Sequence, residues 1–219
     1  HLVHVATDGE SYGHHHTHGD MALAFCLDYI EKHQLGTIIN YANYLEKFPA
    51  REEVRIYDNS SWSCVHGVER WRADCGCSSG MNAGWHQQWR APLRNALDNL
   101  RNDLSSVFEK EISRYIPNAW KARNAYIEIV LDRSDESLDA FFKTHCNSIP
   151  QGDHKTKVIR LLEMQRHAML MYTSCGWFFD EISGIETTQI LQYADRAIQL
   201  AESESNIILE KDFLQQLEL

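Results

Sequence analysis

The sequence predicts an α+β fold that is mainly α: a strand, helix, strand segment of the kind that builds a parallel sheet or barrel, followed by a helical bundle. Three observations carry this. Short apolar runs alternate with helical periodicity up to Tyr57, periodicity vanishes from Asp58 to Gly84, and beyond that stretch every segment has a helical period. The expected division is 1–80 for the strand-bearing part with its long Trp/Cys loop and 81–219 for the bundle.

In chain order, Leu2 to Thr7 reads as a short buried strand. Ala22, Phe25, Cys26, Tyr29 and Ile30 recur at helical spacing, with Cys26 on the apolar face as a core residue, and the segment stops near Gly36. Thr37 to Asn40 is a second strand, Tyr41 to Phe48 a short helix ended by Pro49, and Glu53 to Tyr57 alternates as a third strand. After the loop, Trp89, Leu93, Ala96, Leu97, Leu100, Leu104 and Phe108 share one helical face within 85–111. Further helices are expected over 119–131, 137–145, 155–172, 185–202 and 206–217, punctuated by Pro117, Pro150 and Gly184.

Composition limits function. The chain of 219 residues is 43% hydrophobic, the composition of a globular protein, and its net charge of -10 gives no footprint for nucleic acid or an anionic membrane. A neutral, hydroxyl-rich or cationic ligand fits better. No apolar run approaches the roughly 20 residues that cross a bilayer and no secretory signal opens the chain, so the expected location is the cytoplasm. Six cysteines at uneven spacing do not make a disulfide framework and are expected to be reduced. The chain opens on His1, directly followed by a buried-type strand that needs partners, so the sequence is expected to be a piece of a longer protein. The missing N-terminal part is then its first partner, and uncovered strand edges would otherwise favour a homodimer.

ATDGESYGHHHTHGD, from Ala6 to Asp20, is the first chemically dense stretch. Asp8 stands at the exit of the apolar run, where parallel α/β architectures place catalytic carboxylates; the plainer alternative is an aspartate capping the turn at Gly9. His14 and His18, at a four-residue spacing, either share a helical face suited to a metal, hydrogen-bond a sugar or orient Asp8, or form a solvated first turn.

SSWSCVHGVERWRADCGC, from Ser60 to Cys77, is the second. Cys64, His66, Cys75 and Cys77 supply thiolates and an imidazole able to close a tetrahedron around a structural zinc, although C-x-H with C-x-C departs from the usual C-x-x-C spacing. The alternative is reduced cysteines packing a Gly-rich loop. Trp62 and Trp71 lie in this loop, and indoles there are suited to stacking on sugar rings. YTSCGWFFDEISG, from Tyr172 to Gly184, breaks two long helices with aromatics that either line a cleft or plug the bundle's end.

Taken together, these segments resemble glycoside hydrolase family 57, and more closely a bacterial branch in which a family-57 domain is followed by a domain of unknown function. Asp8-Gly9-Glu10 with Gly13-His14 is similar to the family's fourth motif, Ser61-Trp62-Ser63 with Trp71 to its Ser-Trp segment, and Ser174-Cys175-Gly176-Trp177-Phe178 to its fifth. The resemblance implies the last strands of an incomplete (β/α)7 barrel followed by the helical domain. It also implies retaining hydrolysis or transfer of α-glucans with Asp8 as the acid/base and two carboxyls about 5–5.5 Å apart. The family's nucleophile belongs to an earlier motif that has no counterpart here, and Glu10 is too close in sequence to Asp8 to replace it. The expected contacts to an α-glucan or oligosaccharide are Glu10, His14, Trp62, Trp71 and Trp177. Where many members carry an acid before the tryptophan, this chain has Gly176, with Asp180 the next acid along. No cofactor is required by this chemistry beyond the structural zinc that the cysteines would hold. A non-catalytic carbohydrate-binding or scaffolding module is the alternative reading.

Overall fold

The computed structural model describes residues 2–61, 64–78, 80 and 82–218. It divides into two compact units, His1–Ile56 and Tyr57–Leu219, so the Trp/Cys loop belongs with the helices that follow it.

The first unit holds α1 (Gly19–Lys32) and α2 (Tyr41–Lys47). The α2 helix starts where expected, with the Asn40 side chain accepting the Asn43 N–H at 2.9 Å. Here the expected barrel is corrected. Among the described residues there is no strand and no sheet, only an isolated bridge between Tyr12 and His16. The runs 2–7, 37–40 and 53–57 do not pair with one another, and Val3, Val54 and Tyr57 are 90%, 87% and 88% exposed. The physical reason is that alternation decides which face of a strand is apolar, whereas a strand exists only once neighbours take up its N–H and C=O groups. The strand edges on which a homodimer was expected are therefore absent from the described residues. Cys26 is likewise exposed and not core, because α1 buries none of its residues.

The second unit contains the hydrophobic core. Its axis is α3 (Arg90–Ile112), with Leu93, Leu97, Leu100, Leu104 and Phe108 buried at the expected period. Two long antiparallel-type partners, α7 (Asp153–Leu170) and α8 (Ile185–Glu204), pack on each other and on α3, and α9 (Glu210–Leu217) closes against α3. The segment expected as one helix over 119–131 is broken at Tyr126 into α4 (Ala119–Ala125) and α5 (Ile127–Leu131). Asn118 and Ser134 cap α4 and α6 (Asp135–His145) by accepting the N–H groups of Lys121 and Ser137. Among the described residues no helix is long and apolar enough to cross a membrane.

The α7–α8 connection contains a 3-10 turn, Ser174–Trp177, whose backbone lies directly on α8. A Cβ on Gly176 would collide with the Ile190 side chain, and the Gly176 carbonyl accepts the Thr187 hydroxyl at 2.9 Å. This close approach accounts for glycine at position 176. Gly176→Ala is expected to cost about 1–3 kcal/mol through overpacking, read as a lower midpoint in urea unfolding with an unchanged far-UV spectrum.

Candidate metal centre

Two tight turns bring the cluster together. In the first, the Gly67 N–H donates to the Cys64 carbonyl at 3.1 Å, curling Cys64 and His66 toward one point. Gly67 has φ +65, and a Cβ there would strike the Asn59 carbonyl oxygen, so the turn requires glycine. In the second, Asp74 Oδ1 accepts the Gly76 N–H at 3.1 Å, and Gly76 at φ +75 lets Cys75 and Cys77 face the same centre from either side.

The distances among three of the donor atoms match one face of a metal-centred tetrahedron. Cys64 Sγ lies 3.8 Å from Cys77 Sγ, and His66 Nδ1 lies 3.5 Å from Cys64 Sγ and 3.6 Å from Cys77 Sγ. Zinc bonds of roughly 2.3 Å to sulfur and 2.0–2.1 Å to nitrogen, set at tetrahedral angles, give S–S edges of about 3.8 Å and S–N edges of about 3.5 Å. With Cys75, the four donor atoms all lie within 4.8 Å of one another, and no other such group of His, Cys, Asp and Glu occurs among the described residues. The cluster can therefore bind a metal ion.

Electrostatics separates the thiols. Burial pushes the Cys75 thiol up, but the Cys77 N–H, the thiols of Cys77 and Cys64 and the Arg90 guanidinium outweigh it and hold Cys75 below the ordinary thiol value. Cys77, crowded by Cys64 and Cys75, is pushed up to about 11. Three thiols so close cannot all ionise without a cation among them.

Behind the cluster is a buried polar layer built from the start of α3 and the α7–α8 connection. Gln87 accepts from the Cys75 thiol at 3.2 Å and from Arg90 Nη1 at 3.0 Å, while its amide donates to the Cys77 carbonyl and, at 2.7 Å, to Asp180. Arg90 is fully buried, its Nη2 donating to the carbonyls of Phe178 and Phe179 at 2.9 and 3.3 Å. Ser78 donates to Asp180 at 3.1 Å, and Arg70 lies 3.6 Å over the Phe178 ring. Asp180 is thus tied into this layer. Asp180 was noted in the sequence only as an acid near the tryptophan; Gln87 and Arg90 were not singled out, yet a signal existed: Arg90 precedes Leu93 and Leu97 on the apolar face of α3, where a charge demands buried partners.

The other expected residues are placed as follows. In the first unit Asp8, Glu10 and His14 are exposed; the Asp8 carbonyl accepts the Ser11 N–H at 3.1 Å, the Glu10 carbonyl accepts the His15 N–H at 3.0 Å, and the His14 ring meets the His15 ring edge-on. Trp62 lies outside the described residues. Trp71 ends a 3-10 turn, Gly67–Trp71, and is half-buried against the core. Trp177 is fully buried, stacked on Trp89 at 6.0 Å with its N–H donated to the Met171 carbonyl at 3.3 Å. The structure joins these two tryptophans through Arg94, which donates to the Trp71 carbonyl at 3.0 Å and lies 5.5 Å from the Trp177 ring centre.

A helical unit with a metal-competent Cys/His loop fixed to one end is the class of domain that fold and site define. The chain belongs to the family described as "Domain of unknown function (DUF3536)", whose model matches residues 85–219. No curated protein and no solved structure matches the chain.

Arg90→Met would remove the guanidinium donors from the Phe178 and Phe179 carbonyls and leave the Gln87 amide oxygen with the Cys75 thiol alone. Its expected cost is about 2–3 kcal/mol in chemical denaturation, with slower reaction of Cys75 with a thiol reagent in the folded variant, because the guanidinium that favours the thiolate is gone.

Proposed function

We propose that the Cys64, His66, Cys75 and Cys77 cluster is a structural zinc site that staples the Trp/Cys loop to the helical domain of an α-glucan-processing protein. The observation that carries the zinc reading is the match of the S–S and S–N separations to tetrahedral edges. All four positions are filled by protein groups, which leaves no open position for water or substrate and suits a structural role. The six free cysteines fit a reducing compartment, the cytoplasm.

On the same reading the parent activity is that of a retaining glycoside hydrolase or glucanotransferase. The support is the family at 85–219, which is known to accompany family-57 glycoside hydrolases, together with the Asp8-Gly9-Glu10 and Gly13-His14 resemblance. Asp8 serves as acid/base, protonating the leaving oxygen and then activating water or an acceptor, while a carboxylate outside these residues attacks the anomeric carbon. Glu10, His14 and the loop tryptophans contact the glucan. A non-catalytic module is the second reading, favoured by the full burial of Trp177, which leaves its ring no surface for a sugar.

Zinc titration into chelator-treated protein at pH 7 is expected to release at least about one proton per metal, because the Cys77 thiol is protonated there and must ionise to bind. Affinity then falls as the pH is lowered. Uptake without proton release would count against thiolate ligation. For the enzymatic reading, α-glucan turnover by the full-length protein is expected to fall by roughly 100-fold or more in Asp8→Asn. Turnover unchanged by the substitution, or glucan binding with no turnover in either protein, would transfer the assignment to the non-catalytic module.

A further inference from the structure

A cavity of about 290 Å³ lies between α3, α4 and α7, lined among others by Arg94, Arg101, Arg123, Trp120, Gln165 and Tyr172. Three guanidinium groups in one recess stand out in a chain with a net charge of -10. The acids that face them offset them in part. Asp98 lies 2.9 Å from Arg101 and 3.4 Å from Arg94 and also accepts the Tyr172 hydroxyl at 2.7 Å, and Glu109 accepts the Trp120 N–H at 2.7 Å. Among the described residues no carboxylate pairs with Arg123. Its Nη1 donates to the neutral Asn124 side chain at 2.9 Å, and its Nε is buried without a hydrogen-bond partner.

We propose that this cavity binds a phosphorylated sugar, with the phosphate on the arginines and the ring against Trp120. Guanidinium groups from two helices converge on a small space, which suits a tetrahedral phosphate with three free oxygens better than a planar carboxylate with two. The Trp120 indole, held by Glu109 and packed on Phe108, is 38% exposed with the Arg123 guanidinium 5.8 Å from its ring centre, so a sugar ring resting on its exposed part meets apolar ring and cation together. Burial pushes the Tyr172 phenol up, which keeps it neutral and adds no negative charge to the recess. The cavity is at the bottom of the size range of small-molecule sites, roughly 300 Å³ upward, which admits one ring and one phosphate but not a nucleotide. This site goes beyond the glucan reading and shares none of the zinc ligands, so failure of the turnover assay leaves it untouched.

The test is isothermal titration of the purified chain with glucose 1-phosphate, glucose and inorganic phosphate. Glucose 1-phosphate is expected to bind at least roughly tenfold more tightly than inorganic phosphate, and glucose not measurably. Arg123→Gln is expected to weaken glucose 1-phosphate by at least roughly tenfold. Trp120→Leu is expected to weaken glucose 1-phosphate and leave inorganic phosphate unchanged, with the circular dichroism of both variants unaltered. Absence of glucose 1-phosphate binding at millimolar concentration, equal affinity for inorganic phosphate, or an unaltered affinity in Arg123→Gln would each overturn the proposal.

Discussion

Arg90 is a cation sealed into the N-terminal end of α3, and the architecture of that end follows from keeping it solvated by protein. A buried guanidinium without partners would cost several kcal/mol, so its two terminal nitrogens are taken up by fixed acceptors. They are supplied by the 178–179 carbonyls in the α7–α8 connection and by the Gln87 side chain just ahead of the helix. Once Gln87 is fixed in this way, its other contacts fix Cys75, Cys77 and Asp180. A loop with almost no apolar periodicity thereby obtains a defined conformation.

The cluster completes what the arginine begins. The Arg90 side draws Cys75 toward its thiolate form, while crowding keeps Cys77 protonated until a cation arrives. Such a site is arranged in advance but is electrostatically incomplete, and the binding free energy of a metal then becomes stability of the loop. Through Arg94, the same loop also reaches the wall of the arginine-lined cavity.

The helical unit was legible in the sequence because its signal is local: Leu93, Leu97, Leu100, Leu104 and Phe108 state their period, and Pro117, Pro150 and Gly184 punctuate it. The cluster was half legible. Donor identities are written in Cys64, His66, Cys75 and Cys77, but convergence depends on positive φ at Gly67 and Gly76, and no spacing rule for knuckles describes these turns. The strands were misread because Leu2 to Thr7 and Glu53 to Tyr57 carry the right residues without the pairing that makes a strand. Tertiary burial was the other hidden quantity: Trp177 and Asp180 lie in an aromatic, turn-rich segment that reads equally as cleft lining or as a plug of the bundle's end, and the structure turns both inward.

X-ray absorption at the zinc edge, on protein purified without chelator, tests the metal centre most directly. The account predicts one zinc per chain with a first shell of three sulfurs at about 2.3 Å and one nitrogen at about 2.0–2.1 Å. Protein free of stoichiometric metal, or a shell of oxygen atoms with no sulfur, would contradict it.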